Sequence, residues 1–234
     1  DRPKSEVHLE HKGEKVESGY VIDLHVHTSP ASPCSSAQLD QIITEAKKIG
    51  LPAFCLTDHN YNWSEREVEK LREKYDYLIL RGNEITTDQG DMLVFGLEKD
   101  VNTVIKLEDL YDEVKRVNGF IIVAHPFRGF LVFGVGELGL TIEKAIERPL
   151  FKLVNAVEVL NGKVTQKENA FAKDVADALG LPATGGSDAH EVKEVGIYAT
   201  RFDASINNEG ELIEALKDKA YTPIYFREER GIKA

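Results

Sequence analysis

The chain has 234 residues, 42% hydrophobic and 29% charged, enough to bury one sizeable core. No apolar run approaches the roughly 18 residues that a membrane span needs. A net charge of −11 opposes general binding to nucleic-acid backbones, which calls for a basic face, so small substrates are the expected partners.

Two cysteines, Cys34 and Cys55, make no disulfide framework, and a reducing, cytoplasmic setting is expected. Residues 1–18 alternate charges without periodicity and read as a polar arm with no apolar leader. VIDLHV then reads as a strand. It is followed by a helix over Ser36–Ile49 with Leu39, Ile42, Ile43, Ala46 and Ile49 on one face, stopped by Gly50. LPAFCLTDH is the next strand, and Cys55 within it reads as core. Ser64 suits the N-cap of a helix running to Lys74.

YLILRGNEI and MLVFGL follow as strands, helix Leu107–Val117 leads into GFIIVAHPF, and helix Lys167–Leu179 leads into LPATGG. GIYAT, a helix over Glu211–Lys217 and YTPIYF close the chain. Strands alternating with helices of about ten residues predict a mainly parallel sheet. Polar residues recur at the C-terminal ends of strands, the place where TIM-like barrels assemble their sites, so an α/β barrel in a single domain over 19–234 is expected. Residues 128–150 are longer than a standard connection and predict a lid-like insertion. Gly134–Gly139 inside it imitates a GxGxxG dinucleotide motif. The preceding FLVF begins only five residues after His125, too close for a strand of its own, so these glycines read as part of a flexible lid, with a simple long loop as the alternative.

Five of the seven histidines fall at strand ends. His25 and His27 sit at i and i+2, so on a strand both imidazoles point to one face. His59 follows Asp58 in CLTDHN, Glu84 ends a strand, His125 precedes Pro126, and Asp188 and His190 repeat the i, i+2 spacing after Gly185–Gly186. Any one of these alone reads equally well as a half-buried polar residue or a turn. Their shared position predicts convergence, and imidazole with carboxylate is a ligand set for Zn²⁺, Mn²⁺ or Fe²⁺. The chain reads as a metallohydrolase.

HVH, TDH, the strand-end Glu, AHP and SDAH occur here in the order found in the PHP (polymerase and histidinol phosphatase) superfamily, which this chain resembles over about residues 20–200. The resemblance implies a distorted (β/α)7 TIM-like barrel, two or three divalent metal ions (Zn, Mn or Fe) and hydrolysis of phosphomonoesters. It further implies that His25, His27, Glu84 and Asp188 hold one ion, that Glu84 bridges to a second bound by His125, and that His59 and His190 hold a third. Two positions depart from the family pattern: Asp91, in GDMLVFG, stands where a histidine is usual, and Cys34 is the candidate third-site ligand in SPASPCSS. An oxygen ligand at Asp91 tilts the site toward Mn²⁺ or Fe²⁺.

Two ions sharing a carboxylate acidify water for in-line attack on phosphorus. Arg128, three residues beyond His125, is the leading phosphate contact; Arg81, Arg201 and Lys163 are others. Asp58 and Asp23 are candidates to orient a ligating imidazole, and Asp58 or His190 to transfer a proton. The expected function is a metal-dependent phosphoesterase acting on a nucleotide or sugar phosphate. The alternatives are an amidohydrolase-type hydrolase and a non-catalytic, metal-stabilised binding or regulatory module.

Overall fold

The computed structural model describes residues 19–130 and 140–233. The expected N-terminal arm, and the GxGxxG-like stretch with most of the apolar part of the expected lid, lie outside the described residues.

Strand β1 (Tyr20–Val26) leads to helix α1 (Leu39–Ile49), strand β2 (Ala53–Leu56), helix α2 (Glu65–Tyr75) and strands β3 (Leu78–Arg81), β4 (Asn83–Thr87) and β5 (Gly90–Phe95). Helix α3 (Leu107–Arg116), strand β6 (Phe120–Val123), the short helix α4 (Ile142–Ala145), strand β7 (Ala156–Asn161), helix α5 (Gln166–Leu179) and strand β8 (Ala183–Gly186) follow. Strand β9 (Ala199–Phe202), helix α6 (Glu209–Asp218), strand β10 (Tyr221–Ile224) and helix α7 (Phe226–Glu229) complete the order.

Local chemistry sets most helix ends. Ser64 and Thr165 each close a capping box with a glutamate three residues on, Glu67 and Glu168. Gly50 and Gly180 end α1 and α5 in the left-handed conformation, at φ 69° and 64°. Helix α1 starts at Leu39, three residues later than the pattern suggested. The Ser36 N–H and the Ser35 hydroxyl are instead held by the His190 carbonyl, at 3.0 and 3.1 Å.

The strands form two five-stranded sheets, in the orders β10-β9-β1-β2-β3 and β4-β5-β6-β7-β8. Parallel pairing joins β1 to β2, β2 to β3, β6 to β7 and β7 to β8; the other four pairs are antiparallel. The expectation of a mainly parallel sheet is therefore corrected to a mixed α/β fold. Two of the antiparallel pairs follow from the two-residue turn between Thr87 and Gly90, which folds β5 back on β4; the other two come from β9, which runs opposite to both β1 and β10.

The segment expected as one strand, YLILRGNEI, breaks at Gly82, where the chain leaves the first sheet and enters the second. A Cβ on Gly82 would lie 2.7 Å from the Phe95 ring, so the crossing needs glycine. Isolated bridges tie the sheets at two seams: His59 to Glu84 on one side, Val26 to Ala189 on the other. Both seams fall among the strand-end histidines and acids. Between the sheets, Ile22, Leu24, Cys55, Leu93 and Ile122 pack as one buried cluster. Among the described residues no helix is long and apolar enough to cross a membrane.

Gly82→Ala is expected to destabilise the protein by about 1–3 kcal/mol, as overpacking does. Adding Phe95→Leu should recover part of that loss, giving a double mutant more stable than the sum of the two single changes. Chemical denaturation of the three variants measures this.

Candidate metal centre

His25 and His27 point from the end of β1 into one polar cleft, as the i, i+2 spacing predicted. Their Nε2 atoms lie 3.0 Å apart. Around this pair stand Glu84 Oε2, at 3.4 Å from His25 and 3.1 Å from His27, and Asp188 Oδ1, at 3.5 and 3.3 Å. His59 Nδ1 approaches Glu84 Oε2 to 3.1 Å, and His125 Nε2 approaches Glu84 Oε1 to 3.1 Å. His25, His27, Glu84 and Asp188 are essentially inaccessible to solvent.

His125 and Asp188 reach the cleft only because their backbones adopt positive φ, 29° and 52°. Non-glycine residues held there cost of order 1–3 kcal/mol each, and such strain concentrates at functional sites. Glycine makes the close approach on the other side possible. A Cβ on Gly186 would lie 2.5 Å from His25 Cβ.

Among the described residues, four groups of three side chains bring ligand atoms within 4.8 Å of one another: His25–His27–Glu84, His25–His125–Asp188, Glu84–Asp91–His125 and His27–His59–His190. The donors fit divalent cations on an independent ground. Glu84 Oε2 is buried and accepts no hydrogen bond, although imidazole nitrogens of His25, His27 and His59 crowd it. A buried carboxylate oxygen without a partner is costly, and a cation shared with those nitrogens would satisfy it.

Charge reinforces the arrangement. Burial pushes His25 toward neutrality, but Asp188, Glu158 and Glu84 outweigh it and hold its pKa well above the usual value. His27 and His125 are raised by the same balance, with Glu84 in contact with both. Burial raises Glu84 and Asp188, and the surrounding imidazoles overcome it and hold both carboxyls well below their ordinary range. His59 and His190 are lowered, chiefly by burial, so both are neutral at pH 7.

The departures from the family pattern both sit at the cleft. Asp91 joins Glu84 and His125, and Cys34 Sγ lies 3.1 Å from His190 Nε2. Arg128 is half exposed, with Nη1 3.9 Å from Asp188 Oδ2. It lines a cavity of about 520 Å³ together with Gln89, Asp91, His125, Phe130 and Arg148. Arg148 is held over the Phe127 and Phe130 rings at 5.8 and 5.4 Å.

Other candidates sit elsewhere or act differently. Asp58 contacts no imidazole. Its carboxylate accepts from the Thr28 N–H and hydroxyl, the Ser32 hydroxyl and Trp63 Nε1–H, at 2.6–2.8 Å. Ser32 spends its one proton on Asp58, so toward His27 Nδ1, 3.1 Å away, its oxygen can only accept. Asp58 thus reaches His27 one step removed. Asp23 is fully buried and accepts from the His25, Ser187 and Gly196 N–H groups and the Ser187 hydroxyl, again no imidazole; burial pushes its pKa up to about 6.

Arg81 is paired with Glu98 and Glu209, and Arg201 with Glu229 beside the start of β1, so neither stands at the cleft. Lys163 pairs with Glu194, whose other oxygen accepts from the His190 N–H at the rim. Sequence reasoning missed Glu158 and Asn161. Both are buried within β7, and Glu158 Oε1 is 2.8 Å from His25 Nδ1. The available signal was an acid and an amide inside the apolar run AVEVLN, because buried polar groups must find partners.

Residues 23–132 match the PHP domain and residues 166–221 match the PHP-associated region. The chain belongs to the PHP family. An uncharacterized protein of Methanocaldococcus jannaschii is 31% identical over 190 residues, covering 77% of this chain and 70% of that protein. A probable histidinol-phosphatase of Thermotoga maritima is 34% identical over 83 residues, 32% of this chain and 34% of that one. Among solved structures, a two-domain Bacteroides vulgatus protein containing a predicted PHP-like metal-dependent phosphoesterase aligns with a TM-score of 0.64 at 20% identity. The alignment covers 89% of this chain and 65% of that one.

Metal uptake is expected to release protons, because the raised imidazoles must lose them before they can ligate. In the metal-free protein these histidines contribute stability that is complete below about pH 6.5 and is lost as pH rises through their raised values. The gap in Tm between metal-loaded and chelator-treated protein should therefore widen from pH 6 to pH 8. Thermal unfolding at a series of pH values tests this; a gap that narrows would contradict it.

Proposed function

We propose that this chain is a metal-dependent phosphoesterase acting on a small phosphorylated metabolite of the nucleotide or sugar phosphate type. The observation that carries the reading is the unpartnered Glu84 oxygen among three imidazoles, directly beside a cavity walled by two arginines. The PHP domain supports it, since members of this family are generally metal-dependent hydrolases. The barrel reading belongs to the same proposal. Two contacts support it: the chain crosses at Gly82 from the edge strand β3 to the edge strand β4, and an isolated bridge ties Val26, at the end of β1, to Ala189 beyond β8.

In this reading His25, His27, Glu84 and Asp188 hold one ion, Glu84, His125 and Asp91 a second, and His59, His190 and Cys34 a third. Divalent ions bound there supply Lewis-acid charge and acidify water at neutral pH. The chain's own residues do the rest. Arg128 reaches the substrate phosphate with its planar fork, and Asp188 keeps that guanidinium turned toward the cleft. The Arg148 guanidinium, fixed by the Phe127 and Phe130 rings and the Pro126 carbonyl, adds positive charge at the far wall of the cavity. His190, neutral at pH 7, suits a ligand better than a proton donor.

The test is a screen of metal-loaded protein against nucleotide monophosphates, sugar phosphates and carboxamides. Phosphate release that a chelator abolishes supports the proposal. Turnover of carboxamides alone would favour an amidohydrolase, and no turnover by a fully loaded protein a non-catalytic module. His27→Ala should lose phosphate release while remaining folded. Arg128→Ala should keep its metal and lose about 10- to 100-fold in kcat/KM, equivalent to roughly 1.4–2.7 kcal/mol.

A further inference from the structure

One buried pair in β7 reaches three of the residues that line the cleft, two by their side chains and one by its backbone. Glu158 Oε1 lies 2.8 Å from His25 Nδ1, and Glu158 Oε2 accepts the His125 backbone N–H at 2.9 Å. Asn161 Nδ2 donates to Glu158 Oε2 at 2.9 Å and to Asp188 Oδ2 at 3.1 Å. Asn161 is itself fixed from outside: its N–H donates to Asn169 Oδ1 on α5, and its carbonyl accepts from Asn169 Nδ2. All of these groups except the edge of His125 are shut off from solvent.

Resting on the metal-centre reading above, we propose that Glu158, braced by Asn161, is a positioning residue that locks the geometry of two neighbouring ion positions at once. A carboxylate only accepts, so the His25 nitrogen beside it must carry the proton. That fixes the ring tautomer and leaves Nε2, the atom facing Glu84 and Asp188, free to ligate. The second oxygen of the same carboxylate ties down the His125 backbone at its positive φ, which aims that imidazole at Glu84. Asn161 sets the Asp188 oxygen that faces the cavity side, beside Arg128. One rigid strand segment thus orders a ligand from each of β1, β6 and β8.

Gln at 158 is the informative change. With its oxygen kept toward His25, the amide sets an NH₂ where Oε2 accepted from both the His125 N–H and the Asn161 amide, so the double grip fails without a change of size. Zn²⁺ titration of full-length, chelator-stripped protein is expected to show Glu158→Gln weakened about 10- to 100-fold at the first two equivalents, not at one alone. Co²⁺ loaded in place of Zn²⁺ should give an altered visible spectrum, and nitrogen NMR of the Zn²⁺ form should lose the single His25 tautomer. A change that only loosened the fold would not move those signatures in a protein of unchanged circular dichroism.

Parental affinity and spectrum in folded Glu158→Gln would falsify the proposal, as would weakening confined to one equivalent. Should that variant fail to fold, Asn161→Ala carries the test. It leaves Glu158 in place and should weaken both equivalents several-fold, and parental uptake there overturns the inference. A wild-type chain that binds Zn²⁺ yet releases no phosphate removes the phosphoesterase reading and leaves this one standing. Failure of wild type to bind any of Zn²⁺, Mn²⁺ and Fe²⁺ removes both.

Discussion

The burial of Glu84 and Asp188 against the imidazoles of His25, His27 and His125 is the constraint on which the rest of this structure depends. Two carboxylates removed from water repel each other and lose hydration worth several kcal/mol apiece, and only close positive charge offsets that. In the metal-free chain the imidazoles take the role by holding protons above their usual pKa. A divalent cation held by the same side chains would offset the buried carboxylates with a larger charge. The site therefore has two ways of being satisfied, protons or metal, and they exclude each other. This competition lets the same side chains stabilise the fold through protons and still be ready to ligate.

Meeting that constraint governs the backbone around the cleft. The two seams between the sheets, His59 to Glu84 and Val26 to Ala189, run directly through the ligand set. Asp188, next to the Val26–Ala189 seam, turns inward at positive φ, and His125 does so just past the end of β6. Gly186 lets β8 lie against His25 where any side chain would collide. Gly162 lets the chain after β7 pass Ser187, whose carbonyl oxygen would be 2.3 Å from a Cβ. The strained and the side-chain-free positions thus occur together, at the chemistry.

Two further buried acids act through backbone and hydroxyl donors instead of imidazoles. Asp23 joins β1 to Ser187 and Gly196, so the strand bearing HVH cannot slide relative to the segment bearing Asp188. Asp58 gathers Thr28, Ser32 and Trp63, which sets the loop after β1 and, through Ser32, one face of His27. Neither offers an oxygen to the cleft. Both are acids of a kind that sequence assigns easily to the wrong task, because a motif such as TDH does not say which way its aspartate points.

Local signals were legible in the chain. The apolar face of α1, the N-cap at Ser64 and the stop at Gly50 placed helices within a few residues, since each depends on near neighbours. The spacing of His25 with His27 gave a shared face for the same reason. What tertiary structure decided is non-local. The antiparallel return of β5, the break at Gly82, the pairing of Arg81 with Glu209 and the reach of Glu158 to His25 all involve residues far apart in sequence. Glu158 looks like one more polar residue in a strand until the partner 133 positions away is brought beside it. Periodicity can say which face a residue occupies; only packing says what stands opposite, and here that opposite group decides whether a buried acid ligates, braces or pairs.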